Sequence, residues 1–123
     1  MYTRNVRIKL KANGALEFTR ILEKEIIPLL RKQEGFQDEM LLVAPQRNEA
    51  IAISFWDKQV NAEAYNHIAY LDVLRILSKV VEEMPIVETF EVANSTSHEI
   101  AASAAQPNRP SGPRDVNTFP DRY

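Results

Sequence analysis

The sequence predicts an α+β domain of ferredoxin-like kind, with the order β-α-β-β-α-β and an antiparallel sheet carrying helices on one face. Three observations predict it. Apolar residues alternate at period two near the start, recur at three and four in the next segment, and then repeat that switch after two short strand-like runs. A chain of 123 residues with 45% apolar content suffices for one small core.

Each element follows from its own pattern. From Arg4 to Lys11, Val6, Ile8 and Leu10 share one face while Arg7, Lys9 and Lys11 share the other, the signature of a half-buried strand. Asn13-Gly14 breaks it. Phe18, Ile21, Leu22, Ile26, Leu29 and Leu30 then recur at helical spacing. Pro28, lacking an N–H, is expected to lose the bond to the Lys24 carbonyl and kink this helix, and Gly35 to end it. Phe36–Ala44 and Ala50–Trp56 read as two strands joined by a polar hairpin loop. Asp57 is placed to cap a short helix reaching about Asn66. Leu71, Leu74, Leu77, Val81 and Met84 trace a longer helix, with Asp72 as its cap and Pro85 as its end, before a last strand over Ile86–Ala93. The first and fourth strands are expected in the middle of the sheet or beside their helix-linked neighbours.

Composition removes several function classes. Fifteen basic against 17 acidic residues leave a net charge of -2, whereas a nucleic-acid binder needs a basic face to displace counterions. The absence of cysteine excludes thiolate metal sites, disulfides and thiol nucleophiles. The longest apolar run, Met40–Ala44, is far short of a membrane span, and the charged first ten residues do not read as a secretory leader. A cytoplasmic protein is expected, with neither membrane nor nucleic acid as partner.

The chain divides at Asn94. Residues 1–94 carry the patterned domain. Residues 95–123 are rich in Pro, Ser and Ala, hold Pro107, Pro110, Pro113 and Pro120, and read as an extended arm that buries little. Phe119 and Tyr123 in the arm are candidates for docking on a neighbouring subunit; a mobile terminus is the plainer expectation. Within the domain, the middle strands are apolar on both faces. Phe36, Met40 and Leu42 oppose Leu41 and Val43, and Ile51, Ile53 and Phe55 oppose Ala50, Ala52 and Trp56. One helical layer covers one face only, so a second copy is expected on the other, giving a homodimer.

The motifs Glu25-Ile-Ile-Pro28, Gln33-Glu-Gly-Phe36, Ile53-Ser-Phe-Trp-Asp57 with Ala64-Tyr65, and Met84-Pro85 followed by Phe90-Glu-Val92 resemble the antibiotic biosynthesis monooxygenase-like family over about residues 4–94. The resemblance implies a dimeric α+β barrel and, for some members, oxygenation of aromatic phenols with neither metal nor flavin. Haem-degrading relatives resemble one another in an asparagine, a tryptophan and a histidine that would fall near Arg7, Tyr65 and Arg75. None is retained here, so haem is not expected. The expected activity is a cofactor-independent monooxygenase acting on a small aromatic or quinol-type compound, the alternative being a non-catalytic dimeric module that binds such a compound.

Six residues are candidates for that chemistry. Trp56, beside the small residues Ala50, Ala52 and Ser54, either walls a flat pocket or plugs the sheet beneath the helices; related enzymes place an aromatic in the pocket. His67 is the domain's one imidazole and suits a base near neutral pH, with Tyr65 and Tyr70 orienting substrate oxygens. Arg75 and Arg7 are candidates for stabilising developing negative charge, although arginines so placed are commonly solvated. Catalytic roles are therefore assigned to His67, Tyr65 and Arg75, and substrate binding to Trp56, Tyr70 and Arg7. Two distant histidines make no metal case, and no cofactor is expected.

Overall fold

A computed structural model of the chain describes residues 1–100. The chain forms two compact units, Met1–Glu91 and Val92–Tyr123. The second is described only at its start, where Ser95 Oγ accepts the backbone N–H of Ser97 at 3.1 Å and of His98 at 3.0 Å, closing a small turn. Phe119, Tyr123 and the four arm prolines lie outside the described residues.

The first unit has the ferredoxin-like fold. Its elements are β1 (Tyr2–Lys9), α1 (Ala15–Ile21), α2 (Ile27–Arg31), β2 (Phe36–Ala44), β3 (Glu49–Trp56), α3 (Gln59–Ile68), α4 (Tyr70–Leu77) and β4 (Ile86–Glu91). The antiparallel sheet has the order β2-β3-β1-β4. The first and third strands are thus central, and the fourth lies on an edge beside the first. Among the described residues no helix is long and apolar enough to cross a membrane.

Several local expectations are corrected. The first strand begins at Tyr2 and ends at Lys9, because Leu10 leaves it to bridge Val81. Pro28 does not break its helix. A π turn over Leu22–Ile26 carries the Ile27 N–H back five residues to the Leu22 carbonyl, and Pro28 falls in the first turn of α2, where its missing donor costs nothing. Asp57 is not the cap of α3. Lys58 holds that position in an extended conformation, while Asp57 Oδ1 accepts the Asn61 amide N–H at 2.8 Å. The second helical region is broken in two as expected, at Ala69, but α4 stops at Leu77, well before Pro85, with Asp72 in its first turn rather than at its cap.

The most consequential difference is in β2. Phe36 pairs with Trp56 and Asp38 with Phe55, so a bulge at Gln37 shifts the phase of the strand. Phe36, Glu39, Leu41 and Val43 therefore face the helices, and Met40 and Leu42 face away. Phe36 had been expected beside Met40 and Leu42; the extra residue breaks the period-two count between them. The helical face holds the core: Val6, Ile8, Leu10, Phe18, Ile21, Leu22, Ile26, Leu30, Trp56, Tyr65, Val73 and Leu77 form one buried cluster.

Gly35 joins α2 to β2 at φ +83°, where its carbonyl accepts the Asp57 N–H at 2.9 Å. A Cβ there would run into the Asp57 carboxylate and the Asn61 side chain. Gly35→Ala combines that clash with a left-handed backbone, and denaturant titration should show a loss of about 2 kcal/mol.

Candidate functional site

The site grows from a charged residue placed in phase with the core. Even-numbered residues of β1 face the helices, so Arg4 enters the layer that holds Val6 and Ile8 and is only 3% exposed. Its guanidinium lies over two phenol rings, 4.4 Å from the Tyr70 centroid and 5.1 Å from that of Tyr65. One Nη donates to Asn66 Oδ1 on α3 at 2.9 Å. The other Nη and Nε meet no partner, and among the described residues no carboxylate pairs with it. A buried cation without a counter-ion is costly, and the two ring faces offset part of that cost.

The tyrosines are set by the break at Ala69, which turns the chain so that Tyr65 at the end of α3 and Tyr70 at the start of α4 meet at 6.0 Å between ring centroids. Trp56 fixes Tyr65 from behind, stacking at 5.0 Å and 30°, and it meets Phe36 edge to face at 5.6 Å. The Trp56 indole donates to Ser54 Oγ at 2.8 Å. This satisfied, fully buried indole plugs the sheet beneath the helices.

Burial pushes the Tyr65 and Tyr70 phenols above their ordinary range, the Arg4 charge opposing in both cases. Both therefore stay neutral and can act as donors. The Tyr70 hydroxyl lies beside the Arg4 guanidinium, which opposes the effect of burial on it, and has no other hydrogen-bond partner among the described residues. Desolvation likewise lowers Arg4, against the pull of the phenols, yet a guanidinium so shifted remains cationic.

Two spaces adjoin Arg4. An inner cavity of about 40 Å³ is lined by Arg4, Glu39, Ser54, Tyr65 and Tyr70 together with apolar residues from the helices, Leu22 and Ile26 of the π turn among them. An outer groove of about 250 Å³ is lined by Tyr2, Arg4, Ala62, Glu63, Asn66, Val87 and Thr89. Arg4 is the residue they share. Small-molecule pockets run from about 300 Å³ upward, so the inner space alone takes a few water-sized groups, and the groove is the part large enough for a ring. Glu39 reaches the inner cavity because it is in phase with Leu41 and Val43 on the helical face and pairs with Ser54. Desolvation, and secondarily Asp38, raises its pKa to about 7.

Of the residues singled out from sequence, the structure brings Tyr65 and Tyr70 to this site, with Trp56 immediately behind them. The other three line neither space. His67 is exposed on α3, Arg75 is exposed and pairs with Asp72 at 2.9 Å, and Arg7 lies on the opposite face of the sheet, 3.7 Å from Glu88. Sequence reasoning missed Arg4, Asn66 and Glu39. Two of them had a visible signal: Arg4 is in phase with Val6, Ile8 and Leu10, and Glu39 with Leu41 and Val43. Among the described residues, no group of three or more His, Asp or Glu converges as metal ligands would.

No protein-family profile matches the chain, and no curated protein matches it. Its fold, by contrast, is shared with many solved structures. SnoaB, a cofactor-independent oxygenase from Streptomyces nogalater, superposes with a TM-score of 0.64 at 16% identity, covering 79% of this chain and 97% of that one. A proposed antibiotic biosynthesis monooxygenase from Nitrosomonas europaea gives 0.62 at 16%, covering 76% and 100%, and one from Bordetella bronchiseptica gives 0.63 at 12%, covering 74% and 95%. The chain thus has the fold of the antibiotic biosynthesis monooxygenase-like proteins.

Glu39 supplies a pH-dependent test of this geometry. Its folded pKa lies above that of the unfolded chain, so the folded state retains the proton longer. Stability from this group is present below about pH 4.5 and is lost as pH rises to about 7. Glu39→Gln removes the penalty. After allowance for its partial exposure to solvent, the variant should be about 1 kcal/mol more stable than wild type at pH 8, and no more stable at pH 4, by chemical denaturation.

Proposed function

We propose that the protein is a monooxygenase-like enzyme that acts without a cofactor on a small hydroxyaromatic or quinol-type compound, whose oxygen is held at Arg4. The observation that carries this is the Arg4 guanidinium: buried, lacking a carboxylate, two of its nitrogens without a geometric hydrogen-bond partner, and lining both the groove and the inner cavity. Such a group calls for an anionic oxygen. The likeness of fold to SnoaB supports the choice of chemistry.

Dioxygen accepts an electron directly from an electron-rich anion, so the protein's task is to favour the substrate anion and keep it dry. In this scheme the groove takes the ring, Arg4 neutralises the phenolate or enolate, and the neutral Tyr65 and Tyr70 leave the anion no competing phenolate nearby. Trp56 acts through Tyr65, which it holds in place. For an anthrone-type substrate the ring CH2 becomes C=O. One oxygen atom enters the product, the other leaves as water, and the substrate supplies all four electrons. Tyr65, Tyr70 and Trp56 thus enter the proposed site, and His67, Arg75 and Arg7 do not.

The sheet face away from the helices supports a proposed homodimer. It presents Met40 and Leu42, each 47% exposed, with Phe90 at 54% and Ile86 at 60%, beside Ile51, Ile53 and Phe55 of β3. A patch of this kind is costly in water, and a second copy of the same face would cover it. Sedimentation equilibrium should give a dimer at micromolar concentration, and Leu42→Glu combined with Phe90→Glu should give a folded monomer.

A second reading is favoured by the small inner cavity: a dimeric module that binds an apolar ligand without converting it. Oxygen uptake with hydroxynaphthalenes and anthrones under metal-free conditions separates the two. Wild type should consume oxygen, and Arg4→Met should lower kcat/KM by about a hundredfold with an unchanged circular dichroism spectrum. Binding with no uptake leaves the module, and equal inertness of both proteins removes the enzyme.

A further inference from the structure

Among the described residues, four buried side-chain polar atoms have no hydrogen-bond partner: Arg4 Nε, one Arg4 Nη, Tyr70 Oη and Glu39 Oε2. All four belong to residues lining the inner cavity. Buried polar groups are nearly always satisfied; Arg4 and Tyr70 are close enough to engage one another, and the donors and acceptor left over call for something polar in the cavity. We infer that Glu39 is the proton acceptor of the site, taking the hydroxyl proton of a bound hydroxyaromatic compound across the inner cavity while Arg4 keeps the oxygen left behind. The inference rests on the site proposed above and assigns it a base.

Register places the two groups. Glu39 pairs with Ser54 across β2 and β3, and Ser54 pairs with Arg4 across β3 and β1. The three form a row over the sheet on the helical face, with Glu39 and Arg4 roughly 10 Å apart at their Cα atoms, two strand spacings. Among the described residues no ion pair joins them, and both line the inner cavity. A cavity of about 40 Å³ has room for two or three waters. One bridging water is within the reach of a general base.

The surroundings leave Glu39 alone in the role. It is the one carboxylate lining the inner cavity. Facing it are Ser54 of β3, Arg4 of β1, Tyr65 of α3 and Tyr70 of α4, and the helical segments from α1 to α2 contribute only Phe18, Leu22, Ile26 and Leu30. On its own strand, Asp38 is the neighbouring charge. Glu63 lines the outer groove and not the inner cavity, and its Oε2 accepts the Gln59 amide at 2.9 Å. His67, the imidazole expected to act as base, lines neither space.

The step balances. The substrate O–H bond breaks and a Glu39 O–H bond forms, so one negative charge leaves the carboxylate and arises on the oxygen beside Arg4. The move brings an anion to an uncompensated cation and discharges a desolvated carboxylate. Since Glu39 is only partly buried, on an edge strand, it can return the proton to solvent. A pKa near 7 suits that cycle at neutral pH.

The test uses the full chain and 2-hydroxynaphthalene without oxygen, reading the red-shifted absorption of the naphtholate and, separately, binding by quenching of protein fluorescence. At pH 8 wild type should hold the bound probe as naphtholate. Glu39→Gln should bind it within about threefold of wild type but hold it neutral, and Glu39→Asp should restore part of the naphtholate signal. With oxygen and a turned-over substrate, Glu39→Gln should lose about a hundredfold in kcat, along with the acid limb near pH 7. Equal naphtholate in wild type and Glu39→Gln overturns the inference, as does failure of wild type to bind the probe. Naphtholate without oxygen uptake upholds the base while removing the oxygenase. Oxygen uptake with the same pH profile in both proteins keeps the oxygenase and removes the base.

Discussion

The arrangement depends on one costly feature, a guanidinium held in the hydrophobic layer on a central strand. Moving a cation out of water costs several kcal/mol even after relaxation. Arg4 recovers part of this from two tyrosine faces and one amide oxygen. Much of the neighbouring structure serves that placement. The break at Ala69 delivers two phenols to one point, Trp56 backs the first of them, and Asn66 turns its carbonyl oxygen inward. What stays unsatisfied lies beside two adjoining spaces, and in the proposed function it is this unmet electrostatics that draws an anionic oxygen.

The second constraint is the bulge at Gln37. A strand with strict alternation would carry Phe36 on the same face as Met40 and Leu42, outside the core. The extra residue instead lets Phe36 pack edge to face on Trp56 while Met40 and Leu42 remain on the outer face. Beyond the bulge, Glu39 keeps phase with Leu41 and Val43 and so lies opposite Ser54, on the side of the sheet that carries Arg4. One irregularity therefore lets Phe36 join the core while the outer apolar face is kept, in the strand that also carries Glu39.

Fold and chemistry are separately encoded in this molecule. The structures that share the fold do so at 11–16% identity, because a βαββαβ layer needs only apolar residues at the right periods. A site needs particular groups at particular atoms. Here the polar row of Arg4, Ser54 and Glu39 lies on a face otherwise made of aliphatic and aromatic side chains, and its members come from three strands.

Periodicity was enough to read the order of the elements, the single helical layer, the broken second helical region and the two-faced sheet. These are sums over many side chains, each tolerating local error. Three of the six candidate residues, Tyr65, Tyr70 and Trp56, were also legible as an aromatic group on and before the short helix. The remainder depended on contacts between distant segments. Whether Pro28 kinks a helix or sits harmlessly after a π turn is decided by how the backbone re-bonds around it. Whether Phe36 faces inward turns on one extra residue opposite β3, and whether Arg4 is solvated or buried turns on what α3 and α4 lay over β1. A sequence records which groups a chain carries and their local rhythm; only packing decides which of them lose their water and meet.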